Sequence, residues 1–253
     1  MIISVPDMFP RKDRIHIVRD GAAETWRSDF TERKVDVPQL LLVEQPQPDS
    51  QILPHYHAID QFQVFLDGEG RLASHAIAPV SIHYSNAYTG YGPIVAGKTG
   101  MAYYVMRPGL DVMGAQHLHL PEARKNLKPG KKRFMLAENV RVKSTGELCA
   151  LSSMDTERVI GVPAGDPDQG VFAHLVSIGP DSDYTGQDPA LGGGQVMMVL
   201  QGSMRFNAEA LGLRGTIAIT REEKAITIRS GADGVQILYM QYPLRTESAT
   251  QPH

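Results

Sequence analysis

The chain is poor in the residues on which several function classes depend. Its 253 residues include one cysteine, Cys149. No intrachain disulfide and no cysteine-rich zinc site can form. Cys149 itself, in GELCALSS, has no motif neighbours and reads as a buried structural thiol. Charge of one sign is also lacking: the net charge is −3, which offers no electrostatic case for nucleic acid or an acidic membrane surface. No apolar run approaches the ~20 residues of a membrane span. The opening MIISVPDMFPRKDR has no long apolar core followed by small residues, so it does not read as a signal peptide. A G-x-S-x-G elbow and a P-loop are both missing. Gly192-Gly193-Gly194 precedes a strand pattern, not a helix, so no helix N-terminus would meet a phosphate there. The default expectation is a soluble cytoplasmic protein.

What the chain does have is a duplication. Gln61–Leu72 reads QFQVFLDGEGRL and Gln195–Phe206 reads QVMMVLQGSMRF, an offset of 195 − 61 = 134. Gly100–Leu110 (GMAYYVMRPGL) and Gly234–Leu244 (GVQILYMQYPL) repeat it, since 234 − 100 = 134. Ile94, Gly97 and Gly100 fall on Ile228, Gly231 and Gly234 at the same spacing. A shared offset over this length signals two copies of one folding unit. The copies differ just before the repeat: the first carries His55 and His57, the second Pro189 and Leu191.

Short segments with period-two alternation recur throughout, among them RIHIV at 14–18, LLLV at 40–43, FQVFL at 62–66, AYYVM at 102–106 and VQILYM at 235–240. Turn signals separate them, including Asp67-Gly68, Gly92-Pro93 and Pro108-Gly109. Many short strands punctuated this way predict an all-β sandwich or barrel. No long segment shows a helical stripe; PEARKNLK at 121–128 suits one or two helical turns. Arg124–Arg133 (RKNLKPGKKR) carries six basic residues and no acid. It reads as a solvated linker, with anion binding as the alternative. The expected division is a barrel over 1–120, a basic linker over 121–133 and a second barrel over 134–253.

His55 and His57 on a strand project to one face. Gln61 begins the neighbouring strand, and Asp67-Gly68 closes the next turn. Three donors from two strands can thus converge on one point, and imidazole suits Zn, Fe, Ni, Cu or Mn. This pattern resembles the first motif of the cupin superfamily: HxH, three or four residues, Glu, six residues, Gly. The chain matches at His55, His57 and Gly68 and departs at Gln61, where the family usually has Glu. The second copy keeps Gln195 and Gly202 and lacks the HxH. The resemblance covers both halves, as in a bicupin. It implies two tandem cupin-type double-stranded β-helix (jelly-roll) barrels, the second degenerate, with assembly into a homo-oligomer left open.

The resemblance also implies a divalent metal ion (Fe, Mn, Ni or Zn) at His55, His57 and Gln61, with one further His from a later strand. His83 is the candidate, since it falls on Ile217 (217 − 83 = 134) and shares its inward phase. Lys98 or Thr99 stands where the family's later histidine belongs, so either His83 substitutes or the site has two histidines. Gln in place of Glu removes a negative charge, which lowers metal affinity, and the site can also stand empty. His117-Leu118-His119 with Glu122 imitates the motif one residue short, but the charged segment after it cannot be a buried strand. Tyr84, Tyr91, Tyr103 and Tyr104 are candidates to line the first pocket. Arg107 is a candidate to bind a substrate carboxylate, although a solvated strand end is its commoner role. The leading expectation, by resemblance, is a metal-dependent, dioxygenase-like oxidoreductase acting on a small organic substrate. The alternatives are a non-catalytic small-molecule-binding bicupin, or a sugar isomerase or epimerase. The last needs a base–acid pair inside the barrel that the sequence does not reveal.

Overall fold

The computed structural model describes residues 1–18 and 23–245. Among the described residues its regular structure is almost wholly strand, in one nine-stranded and one eight-stranded sheet and a two-stranded ribbon, all of antiparallel pairs. Each of the two large sheets belongs to its own compact unit, so the expected all-β pair of tandem jelly-roll barrels is what the chain forms. No helix among the described residues is long and apolar enough to cross a membrane. The segment at Pro121–Lys125 does form a helical turn. A second short helix, Thr145–Cys149, starts at Ser144, whose side chain and that of Glu147 cap each other's backbone N–H groups.

The N-terminal barrel spans Phe9–Arg141. At its centre the long strands Gln61–Leu72 and Ile94–Arg107 pair with each other; Ser81–Ser85 flanks the first and Gln39–Gln45 the second. Alternation sorts the side chains of Ile94–Arg107. Tyr103 and Val105 pack inward with Phe65 and Leu41, while Tyr104 and Met106 point to the opposite face.

The division of the chain differs from the sequence expectation at both ends. Phe134–Ala137 pairs with Ser81–Ser85 and so belongs to the first barrel, which runs on to residue 141. The basic segment is therefore no free linker. Asn86 binds it, donating to the Lys131 carbonyl and accepting from the Arg133 N–H, and its lysines Lys128 and Lys132 lie over the Tyr88 ring. Met1–Met8 belongs to the C-terminal barrel, together with the chain from Val142 onward. Ile2–Val5 pairs there with Thr216–Ile219. Cys149 also departs from expectation: it is exposed, its thiol against the Asp233 carbonyl.

The second barrel has the same frame with a different filling. Gln63, His83 and Arg107 of the first correspond to Met197, Ile217 and Gln241 of the second (63, 83 and 107, each plus 134). Met197 and Ile217 join Val199, Ile219, Ile237 and Tyr239 in one apolar cluster. Each such side chain stabilises by about 1.5–3 kcal/mol when fully buried. This interior therefore serves as core.

One glycine pair recurs in both barrels for a steric reason. Gly68 and Gly202 (68 + 134) have φ of +73° and +77°, and a Cβ on either would lie 2.2 Å from the carbonyl oxygen of Gly100 or Gly234 on the facing strand. Gly202→Ala is expected to cost about 1–3 kcal/mol, from backbone strain and this overlap. Gly212, with no atom within 4 Å of an added Cβ, is the control: Gly212→Ala should stay within about 0.5 kcal/mol of the parent in urea denaturation.

Candidate functional site

The site is built on three short pieces of chain in the first barrel. His55–Tyr56 pairs with Gln116–His117, which sets His117 directly opposite His55. On its other side His55 exchanges two backbone hydrogen bonds with Tyr91, at 3.1 and 3.0 Å. His55, Tyr91 and His117 meet around a cavity of about 140 Å³, lined also by His57, Arg107, Asp111 and Gln63, and by an apolar wall of Leu41, Val43, Tyr103 and Val105. A cavity of ~150 Å³ admits benzene, which sets the size class of a ligand.

Both motif histidines face this cavity, with ring centroids 5.1 Å apart at right angles. Each is held by its Nδ1. That of His55 lies 2.8 Å from the Leu53 carbonyl, and that of His57 lies 2.5 Å from Asp111 Oδ2. A carbonyl or carboxylate oxygen only accepts, so Nδ1 carries the proton and Nε2 is the basic nitrogen on both rings. Burial holds His55 well below the ordinary imidazole value, with the charges of His57, His117 and Arg107 acting in the same direction. Burial pushes the Asp111 carboxyl up. The hydrogen bond and charge of His57, the Arg107 charge and the Gly114 backbone outweigh it, and the carboxyl stays below its usual range.

Arg107 sits at the centre of the polar network and is 8% exposed, so it is no solvated strand end. Its Nε and Nη2 each donate to Gln61 Oε1 at 3.1 Å, and Nη1 donates to Gln39 Oε1 at 3.2 Å and lies 3.7 Å from Asp111. Nη2 is 3.3 Å from both ring nitrogens of His57. Equal distances place the guanidinium against the ring face, not along one lone pair. Gln39 also accepts from the Asp111 backbone N–H at 2.9 Å, so one amide oxygen positions both charged partners.

The four-donor metal set expected from the sequence is not assembled. Among the described residues no three His, Cys, Asp or Glu side chains are grouped to hold an ion. Gln61 turns its oxygen to Arg107 and its amide N–H to the Tyr91 hydroxyl. His83 faces the barrel interior, as its phase predicts, but its Nδ1 donates to Gln63 Oε1 at 2.7 Å and its ring packs on Phe134 and Tyr91. It does not line the cavity. A cation already occupies the neighbourhood of Gln61, and it is a guanidinium. Of the pocket candidates, Tyr91, Tyr103 and Arg107 line the cavity. Tyr84 and Tyr104 do not: Tyr84 donates to Asp60 and packs tilted against Phe62, and Tyr104 takes the face opposite Tyr103. His117, passed over in the sequence because the charged segment after it cannot be a buried strand, does reach the site, its ring 5.5 Å from that of His55.

The burial of His83 has a measurable consequence. Desolvation lowers its pKa from 6.5 to about 3. The unfolded chain therefore takes up the proton first. The stability His83 contributes is complete above pH 6.5 and is lost as pH falls from there toward about 3. The slope from this group is at most ~1.4 kcal/mol per pH unit. Urea denaturation between pH 7 and 4 should show His83→Gln flattening the curve by up to that amount. An unchanged slope would place the imidazole in water.

A duplicated barrel with one histidine-bearing polar interior and one apolar interior is a cupin-type fold. The chain has the bicupin fold, and solved structures carry the likeness along its length. Bacterial pirin YhhW in complex with nickel(II), from Escherichia coli, matches with a TM-score of 0.55 at 12% identity, over 96% of this chain and 100% of the other. A putative dioxygenase from Nostoc punctiforme matches with a TM-score of 0.61 at 13% identity, over 100% and 84%. The Lactobacillus farciminis oxalate decarboxylase formate complex matches with a TM-score of 0.55 at 13% identity, over 96% and 90%. At such identities the likeness is one of fold, and one fold hosts many reactions. No protein-family model matches the chain, and no curated protein matches it in sequence.

Proposed function

We propose that the first barrel is the active site of an enzyme that moves a proton on a small organic anion. The buried His57–Asp111 pair, opening on the same cavity as Arg107, carries this reading. Arg107 holds a carboxylate of the substrate beside His57. His57 Nε2 takes a proton from the adjacent carbon or hydroxyl, and Asp111 stabilises the imidazolium that forms. The proton returns at the other face or at a neighbouring position, so the reaction is an epimerisation or isomerisation. Tyr91, raised above the ordinary phenol value chiefly by burial, keeps its proton and can act as a donor at the cavity wall. This supplies the base–acid pair that an isomerase needs.

The metal-dependent, dioxygenase-like reading is favoured by one observation. Both motif histidines are fixed through Nδ1 by a carbonyl or carboxylate, as metal-ligating imidazoles commonly are. Two imidazoles then make an incomplete set for Fe, Mn, Ni or Zn beside a guanidinium.

Proton exchange separates the two. Panels of small hydroxy- and keto-carboxylates are incubated with the protein in D₂O, and loss of C–H signals is followed by proton NMR. The acid–base reading expects exchange that survives chelation and falls at least ~100-fold in His57→Gln. Exchange or turnover abolished by chelator and restored by one divalent metal would give the site to the metal reading. Binding without any exchange or turnover would leave a non-catalytic ligand module.

A further inference from the structure

The cavity carries a second cationic group on a different strand from Arg107. Arg27 and Arg33 line it together with Arg107, so its charged lining is three arginines against one carboxylate, Asp111. Arg27 donates to Asp29 Oδ2 through Nε at 3.2 Å and Nη2 at 3.0 Å, and Arg33 lies 3.9 Å from Asp29 Oδ1. One carboxylate thus serves two guanidiniums, which leaves a net charge of +1 at this end.

Strand register fixes how far apart the two ends are. Arg27 stands opposite Val43, and Val43 opposite Tyr103; Gln39 stands opposite Arg107. The Cα atoms of Arg27 and Arg107 are therefore four residues apart along the sheet (107 − 103 = 4) and two strands apart. Arg27 reaches back to Asp29, which stands opposite Leu41, so its guanidinium lies about two residues nearer to Arg107 and the charged groups are closer than their backbones, within reach of a short dicarboxylate. The wall between them is the apolar set Leu41, Val43, Tyr103 and Val105, all lining the cavity. Methylene groups suit that wall, and an uncharged polar chain would lose its hydrogen bonds against it.

We propose that the ligand carries two anionic ends separated by a short apolar middle, an α,ω-dicarboxylate or its isostere, with one end on Arg107 and the other on Arg27 and Arg33. This rests on the reading of the barrel as an organic-anion site and adds the second charge and its distance. Arg107 orients the reacting end beside His57. The distal arginines select length and charge number, because an unpaired methyl end placed between two guanidiniums gains nothing from them.

Calorimetric titration of the full chain with matched pairs tests this: glutarate against valerate, and adipate against hexanoate. The dicarboxylate of a pair should bind about tenfold or more tightly. Its affinity should also fall more steeply with added NaCl. In Arg27→Gln/Arg33→Gln the advantage should vanish while the monocarboxylate Kd stays within about twofold. The salt comparison on the unaltered protein stands whether or not that variant folds. Equal affinities within each pair, equal salt slopes, or an advantage that persists in the double variant would each overturn the second pole and leave the single-anion reading intact. Failure of every carboxylate to bind would overturn both.

Discussion

Arg107→Met is expected to destabilise the first barrel by about 3–5 kcal/mol, the usual cost of removing one partner from a buried charged network. The side chain is lost from four groups at once. Gln61 Oε1 loses both of its guanidinium hydrogen bonds, Gln39 Oε1 loses one, His57 loses the cation on its ring, and Asp111 loses a neighbouring positive charge. Packing does not offset this, because methionine fills the stem but donates nothing. Arg107→Lys keeps the charge and loses the fork, and should fall between the two. The readout is specific to this barrel. The only tryptophan, Trp26, lies in it, stacked on His16 at 4.3 Å. Urea denaturation followed by its fluorescence should report the loss. A shift below about 1 kcal/mol would mean that the polar network contributes little beyond filling space.

Asp111→Asn should leave the barrel folded and lower any exchange or turnover at the site by about 10²- to 10⁴-fold, the range a positioned acid–base group supplies. The carboxylate holds the His57 proton on Nδ1 from 2.5 Å. An amide can present its N–H₂ to that nitrogen instead, which moves the imidazole proton to Nε2 and takes the basic nitrogen away from the cavity. Nitrogen-15 chemical shifts of His57 show the tautomer directly. The expected result is an Nε2–H ring in Asp111→Asn, against Nδ1–H in the parent, together with the fall in rate. A variant within about threefold of the parent rate would remove His57 from the role of base.

The frame of the molecule could be read because it is local and doubled. Period-two alternation marks strands, and the 134-residue offset (195 − 61) finds both barrels without any alignment to other proteins. His55 and His57 came with that frame. What completed the site came from strand pairing between distant parts of the chain. His57 meets Asp111 across 54 positions, and Arg107 meets Gln39 across 68. Nothing in VMRPGLD announces that its aspartate will turn back onto a histidine, or that its arginine will be buried. His83 shows the reverse error: its inward phase was legible, but Gln63, which binds it, stands 20 positions away on the adjoining strand. Gln61 holds an arginine in place of an ion for the same reason, since the choice between them depends on a residue from another strand.

Ile2–Val5 carries a consequence for how the chain is made. Ile2 finds its partner at Ile219, 217 positions later (219 − 2), with the whole of the other barrel encoded in between. At a synthesis rate of ~5–20 residues per second, roughly 10–40 s separate the emergence of the two. Ile2–Val5 leaves the ribosome well before its partner and docks only after an entire neighbour has had time to fold. Until then Thr216–Ile219 lacks one flank, and a second nascent chain can offer the same IISV sequence to it. Crowded polysomes would then yield reciprocally exchanged pairs, each barrel closed by the other molecule's Ile2–Val5.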